Sequence, residues 1–364
     1  MTEIRSCTRD DIPAVAGLFQ RTFRDPKAAA PPSLHSYLRD LFLEHPWYDP
    51  ALASKVYVAA DGTVGGFIGI LPLRLTFRGA SIRAAVAGSL MVDKPQENPL
   101  AGARLLRAYL GGPQDLSLSD SANAVSLGMW ERLGGAAAAA ESMEWVRAFR
   151  PAATVLALAA DAAPSLRLAR PLAFAADLVA RRITHDFLRF EPAAPQAHDR
   201  ETNDDELIRL VPEFAGAYAL RPAWDAATLR WIFAHMARKE RHGPMIARVV
   251  LGKDERPLGC YVYYGRRGGV AWVLQILARP DAIDQVLDNL FAHAFAQSCV
   301  ALRGRTQARL LDALQRRNCF FFRHNATVVH STNAELMAAI RAGDALITGL
   351  SGDAWTRLVG DTFT

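Results

Sequence analysis

Two carboxylates, Asp93 and Asp120, stand at the ends of successive strand-like runs, Ser81 to Val92 and Asp115 to Asp120. Ligand sites of open sheets collect at the C-terminal ends of strands, and either carboxylate could take a proton from an amine nucleophile, directly or through one water. The competing reading of each is a solvated strand-end carboxylate. Asn123 follows the second strand and opens a helical pattern that reaches Trp130 and closes Glu131-Arg-Leu-Gly-Gly135. An Asn at that point suits a helix N-cap. An indole N–H can donate a hydrogen bond but gives up no proton at neutral pH. Between the carboxylates lies Glu97-Asn-Pro-Leu-Ala-Gly102, leading into Leu105-Leu106. A turn that opens a helix presents N–H groups suited to an anion. Pro99 costs nothing at a helix start, but it also removes one such donor, and Glu97 would repel a phosphate. Other catalytic patterns are absent: there is no His-x-x-x-His with a carboxylate, no Cys-x-x-Cys, no Gly-x-Ser-x-Gly and no P-loop. His324 and His330 share a strand face without further ligands nearby, so no metal is expected.

The elements that position these residues are legible from periodicity. Glu3 to Cys7 reads as a first strand, and Asp10 or Asp11 caps a helix with apolar face Ile12, Val15, Leu18 and Phe19. A second helix is predicted over Ser33 to Leu43. Lys55 to Ala60 alternates as a strand and turns at Asp61-Gly62. A long run from Val64 to Phe77 turns at Arg78-Gly79 and returns to Val92; Leu100 to Leu110 is helical, Asp115 to Asp120 extended, and Ser121 to Gly135 helical again.

This order, strand, turn, strand, helix, strand, helix, resembles the acyl-CoA-binding core of the GNAT superfamily of N-acetyltransferases. In that family a Gly-rich turn before the helix holds the CoA pyrophosphate on backbone N–H groups. Here Gly102 matches the last small residue of the family's Arg/Gln-x-x-Gly-x-Gly/Ala pattern, while Glu97 stands where a basic or amide residue is usual and Leu100 where a glycine is. Asn123, seven residues before Trp130, matches the family's Asn-(six residues)-Tyr-Glu-Lys-Leu-Gly-Phe ending, with Trp130 in place of the tyrosine acid. The resemblance implies cofactor contacts from Ser89, Leu90, Met91, Val92, Ala101, Gly102 and Asn123, with the backbone near Leu90 to Val92 polarising the acyl carbonyl. Asp93, Asp120 and Trp130 are the candidates for the chemistry. Core packing is the competing reading of Trp130, and N-capping that of Asn123.

The second half repeats the plan: helices over Asp205 to Tyr218 and Asp225 to Ala237, strands at Met245 to Leu251, Leu258 to Tyr264 and Gly269 to Leu277, a helix from Ala282 to Gln297, a strand Val300 to Arg303, a helix Gln307 to Arg317 and a strand Phe320 to His330. The turn corresponding to the pyrophosphate loop, Arg279-Pro-Asp-Ala-Ile-Asp284, has no glycine, and Leu314 stands at the place of the acid. Trp224, Tyr263 and Arg303 are candidate substrate contacts, with ordinary packing as the alternative. In the tail, Trp355 would anchor the chain and Asp353 would cap or pair with Arg357. The Gly-Asp-x-Trp-x-Arg close resembles the ends of related proteins linked to envelope polysaccharide assembly.

The expected architecture is therefore α/β (α+β): two tandem GNAT-like domains, each a mixed, mostly antiparallel sheet flanked by helices. Residues 1–150 form the first domain, 151–204 a helical connector and linker, and 205–364 the second. A chain of 364 residues, 51% hydrophobic, suits two such cores. The formal charge is +5, and the 42 basic residues comprise 37 Arg and five Lys, which with heavy Ala use reads as a GC-rich bacterial genome. No basic tract points to nucleic acid. Four scattered cysteines read as reduced buried thiols, and with no signal design or spanning segment a cytoplasmic location is expected. A basic amphipathic helix over Arg167 to Phe190 could lie on an anionic membrane surface or bridge two domains. The expected function is an acyl-CoA-dependent N-acyltransferase, most simply moving acetyl from acetyl-CoA to an amine of a sugar or another small metabolite. The alternatives are an acyl-carrier-protein donor and a catalytically degenerate scaffold, the latter suggested by loss of the Gly-rich turn in both halves.

Overall fold

The structure, a computed structural model, describes residues 2–162, 177, 190–193 and 196–363. In chain order its elements are β1 (Glu3–Ser6), α1 (Ile12–Phe23), α2 (Pro32–Leu43), β2 (Lys55–Val58), β3 (Val64–Phe77), β4 (Ala80–Val92), α3 (Ala101–Leu110), β5 (Leu116–Ala122), α4 (Ala124–Arg132), β6 (Ala136–Ala137), β7 (Met143–Ala148) and α5 (Pro151–Ala162). They continue as β8 (His198–Glu201), α6 (Asp204–Ala215), β9 (Leu220–Pro222), α7 (Ala226–Met236), β10 (Met245–Leu251), β11 (Pro257–Tyr264), β12 (Val270–Ala278), α8 (Ile283–Ala296), β13 (Ala301–Arg305), α9 (Leu311–Arg316), β14 (Phe320–Arg323), β15 (Ala326–His330) and α10 (Ala334–Arg341). The mixed α/β plan with two helix-flanked sheets is the expected one.

The chain divides into two compact units, but not at the expected boundaries. The first contains Met1–Ser142, Tyr218–Trp231 and His324–Thr364; the second contains Met143–Ala217 and Ile232–Arg323. In the first unit the strand order is β1-β2-β3-β4-β5-β15-β6, with β9 also on β3; in the second it is β14-β7-β13-β12-β11-β10-β8. Each half thus gives its last strand to the other sheet. β7, from the first half of the sequence, pairs antiparallel with β13 and β14, and β15, from the last quarter, pairs antiparallel with β5. The reason lies in the side chains: Trp145 of β7 is buried among Phe291, Tyr263 and Leu302 of the second core, and Val328 of β15 is buried among Ala122, Tyr109 and Trp130 of the first. The run expected as one strand over Phe320 to His330 is cut in two at Arg323, one piece for each sheet.

The expected linker also proves structured where it is described. His198–Glu201 forms edge strand β8 against β10, Asp199 pairs with Arg248, and Asn203 caps α6 by accepting the Glu206 N–H at 2.9 Å. The long helix expected over 167–190 lies outside the described residues apart from Asp177 and Phe190.

The long β3–β4 hairpin follows directly from local chemistry. Arg78 and Gly79 both have positive φ, 49° and 90°, the backbone hand that two-residue turns need to match the strand twist. Leu105, Leu106 and Tyr109 of α3 then cover the face formed by Ile70, Ala85 and Ala87, the i, i+1, i+4 pattern of an apolar helix stripe. All four cysteines are buried free thiols. Burial pushes Cys7, Cys260 and Cys319 up to about 12, and no described helix is long and apolar enough to cross a membrane.

Candidate active site in the first unit

β4 and β5 run parallel and paired only from Ala84↔Leu116 to Val86↔Leu118. Beyond that they part: β4 stays on β3, and β5 continues on β15. Tyr109 wedges the fork open. Its phenol donates to the Ala85 carbonyl at 2.6 Å and accepts the Leu118 N–H at 3.1 Å, so it bridges the two strands where their own ladder ends. Burial raises the Tyr109 phenol well above its ordinary value, which with those bonds makes it a structural group and no proton donor. Sequence reading missed this residue; a tyrosine inside an amphipathic stripe carries no mark of the role.

Past the fork β4 bulges. Gly69 pairs with Gly88 and Phe67 with Met91, so Ser89 and Leu90 together oppose Ile68. Ser89 has a φ of 52°, left-handed for a residue with a side chain. Such bulges release main-chain groups from the ladder and re-aim them. A cavity of about 260 Å³ opens there. Ser89 and Leu90 line it from β4, Ser119 and Ser121 from β5, Asn123, Ser126 and Trp130 from α4 and its cap, and Phe19, Phe23 and Arg24 from the end of α1. Ile68 and Leu106 close its floor from β3 and α3, and the C-terminal tail adds a wall through Asp353, Leu358, Val359 and Gly360.

The tail is a pinned strap. Trp355 is buried, donates to the Gly352 carbonyl at 2.8 Å and meets Trp231 edge-on. The Arg357 N–H donates to the Tyr37 hydroxyl at 2.8 Å, and Arg24 donates to the Leu358 carbonyl at 3.0 Å. Arg357 pairs with Asp361 at 2.8 Å, not with Asp353 as expected. That leaves Asp353 to turn inward. Its Oδ2 accepts from Ser121 Oγ at 3.0 Å, and its N–H donates to Asp120 Oδ1 at 3.1 Å.

The sequence candidates separate accordingly. Ser89, Leu90, Asn123 and Trp130 meet at one cavity. Asn123 also caps α4, its Oδ1 accepting the Ser126 N–H at 2.9 Å. Trp130 is buried and edge-on to Tyr109 with ring centroids 5.8 Å apart, so it serves packing and the cavity wall together. Asp120 is buried beneath the tail and holds its backbone; the carboxylate on the cavity is that of Asp353. Asp93 stands away from the cavity, 3.4 Å from Arg21. Met91 and Ala101 are core residues, and Val92 packs beside Gly102. Trp224 lies buried in the first unit, while Tyr263 and Arg303 belong to the second, where Tyr263 bonds His293 at 2.9 Å and Arg303 bonds Glu144 at 2.7 Å.

The loop before α3 is short of anion donors. Pro95 and Pro99 have no N–H, the N–H groups of Glu97 and Asn98 both donate to the Lys94 carbonyl, and that of Ala101 donates to Asn98. Lys94, Gln96 and Leu100 keep an N–H not engaged by the loop's own carbonyls, before those of the first helical turn.

The second unit carries the same fork, closed. β12 and β13 are paired from Val270↔Ala301 to Val273↔Gly304 and then part, and β12 bulges opposite Val262 and Tyr263. Here the freed Ile276 carbonyl accepts from Gln307 Nε2 at 3.2 Å and from Gln275 Nε2 at 3.3 Å. At the start of α8, Asp284 lies 2.6 Å from Arg317 and 2.9 Å from Arg316. A carboxylate thus already occupies the place at which an anion would approach the helix.

No family model matches the chain, and no curated protein matches it. Solved structures do. A probable N-acyltransferase of unknown function from Enterococcus faecalis V583 is similar over 91% of this chain and 73% of its own, at 9% identity and a TM-score of 0.58. A GCN5-related N-acetyltransferase from Anabaena variabilis ATCC 29413 is similar over 92% and 73%, at 11% identity and a TM-score of 0.59. One from Kribbella flavida covers 90% and 70%, at 13% identity and a TM-score of 0.54. The chain has the fold of the GCN5-related (GNAT) N-acetyltransferases.

Proposed function

We propose that this GNAT-fold protein is an N-acyltransferase whose single reaction centre is the open fork of the first unit, with an acyl thioester as donor and a small-molecule amine as acceptor. The observation that carries the reading is the fork itself: a bulge at Ser89 and Leu90 on the wall of a cavity. A pantetheine arm would lie between β4 and β5, extending the broken ladder with its own amides. Its thioester carbonyl would meet the bulge, whose N–H groups stabilise the oxyanion of the tetrahedral intermediate. Asn123 would bond the arm, and Trp130 would shield the leaving sulfur.

Acetyl-CoA is the simplest donor. The sparse N–H supply of the loop over 94–101 favours a second reading, in which the donor is a thioester on the pantetheine of an acyl carrier protein, so that no diphosphate has to be held there. Acceptors that suit the cavity are amines of sugars or other small metabolites. Calorimetric titration with acetyl-CoA, with acetyl-pantetheine and with acetylated carrier protein distinguishes the donors, and thiol release in the presence of an amine panel tests the reaction. Heat from none of the three donors, with no thiol released, would overturn the catalytic reading and leave a binding protein.

A further inference from the structure

We infer that Asp353, delivered by the C-terminal tail, is the proton acceptor for the attacking amine and selects acceptors that arrive as primary ammonium ions. The inference rests on the acyltransferase reading above and assigns the base that reading lacks.

Two glycines make the case geometrically. A Cβ at Gly88, on the strand beside the bulge, would stand 2.7 Å from Asp353 Oδ2, so the missing side chain is the space the carboxylate occupies. A Cβ at Gly352 would overlap the Asp120 carboxylate. One glycine therefore lets the tail close onto Asp120, and the other lets the next residue's carboxylate reach the strand that polarises the carbonyl. Asp353 is 7% exposed, and its Oδ2 accepts from Ser121 Oγ. Asp353 shares the cavity with Phe19, Phe23 and Arg24; the Arg24 guanidinium lies 4.9 Å from the Phe19 ring centre, the Asp120 carboxylate accepts the Asp353 N–H, and a carboxylate on such a wall favours a cation on a neutral or apolar stem.

The step balances as follows. The ammonium R–NH3+ gives one proton to the Asp353 carboxylate, and the freed lone pair forms the C–N bond at the thioester carbonyl carbon. The carbonyl π pair moves to oxygen at the bulge, then returns as the C–S bond breaks and its pair leaves on sulfur. The thiolate takes the second nitrogen proton, and Asp353 passes the first to water after the amide leaves. Asp120 holds the tail by its backbone and is a positioning residue.

The test uses the full chain, acetyl-CoA, acetyl-pantetheine and acetylated carrier protein as donors, and a panel of primary alkylamines and amino sugars. Wild type releasing no thiol from any of the three donors would overturn the acyltransferase reading and this inference with it. With wild type active, Asp353→Asn is expected to lower kcat by about 10²-fold or more with donor KM unchanged. The rate of the variant should climb tenfold per pH unit toward the acceptor's own pKa, because only free amine then reacts, whereas wild type levels off. A rate within threefold of wild type and an unchanged pH profile would overturn the inference while leaving the acyltransferase reading standing. Should Asp353→Asn not fold, Asp353→Glu and Ser121→Ala carry the test. Each should lower kcat by about tenfold at constant donor KM, on the scale of one lost charge-assisted hydrogen bond, and wild-type kcat in both would overturn the assignment.

Discussion

The two forks of this molecule share a strand plan and differ in what fills them. In the first, the parted strands β4 and β5 border a cavity, with a tyrosine at the apex and an aspartate from the tail on its wall. In the second, the same divergence between β12 and β13 is closed by Gln275 and Gln307, which satisfy the Ile276 carbonyl from within the protein. Buried main-chain carbonyls require partners. The second unit meets that demand with its own side chains; in the first, the proposed reading gives the place to a donor's amides. The lesson is that degeneracy in this fold is visible less in lost glycines than in which polar groups have been retired by internal bonds.

The comparison can be broken most severely by separating the halves as the sequence suggests. A fragment of residues 1–204 lacks β15, β9 and the tail, and leaves β7 without β13. It should give no cooperative unfolding transition by circular dichroism; a soluble fragment with a sharp transition would show that the exchanged strands are dispensable. Next in size is Gly352→Ala, whose methyl would collide with Asp120. We expect a loss of about 1–3 kcal/mol in denaturant unfolding and a fall of more than tenfold in thiol release. Gln307→Ala should behave in the opposite sense for activity. It removes one of the two donors to the Ile276 carbonyl and should cost about 1 kcal/mol, yet leave thiol release within twofold if the first fork is the reaction centre, as proposed.

Gly102→Ala should do little. Its Cβ would lie 3.6 Å from Val92 and 3.7 Å from Met129, ordinary contact, and a helical Ala for Gly is favourable by up to about 1 kcal/mol. A donor KM raised tenfold would show instead that close backbone approach to a phosphate matters there. The smallest effect is expected at Asp284. Burial disfavours its charge, but Arg317 and Arg316 prevail and hold the carboxyl below its ordinary value. A lowered carboxyl stabilises the fold at neutral pH, and that contribution is lost as pH falls through the folded value. The pair is more than half exposed at Asp284, so Asp284→Asn should cost under about 1 kcal/mol and only flatten the acid limb of the stability curve.

Much of the fold and part of the site are legible in the residues themselves. The Arg78-Gly79 turn, the α3 stripe of Leu105, Leu106 and Tyr109, and the Asn123 cap each depend on neighbours within a few positions, so local chemistry suffices to place them. Ser89, Leu90, Asn123 and Trp130, implied by the resemblance to the GNAT order, line the cavity. Asp353 and Tyr109 were not legible as site residues, because the one reaches the fork from 232 positions beyond Ser121 and the other acts through main-chain groups of two strands. Nor was the ownership of β7 and β15. Both are short strands buried on both faces; which core receives them depends on the volumes left by Phe291 and Leu302 in one unit and by Trp130 and Tyr109 in the other. Periodicity and turn chemistry are short-range and can be read along a chain, whereas the choice of partner strand, and the carboxylate the tail carries to the fork, are decided only by packing between segments far apart in sequence.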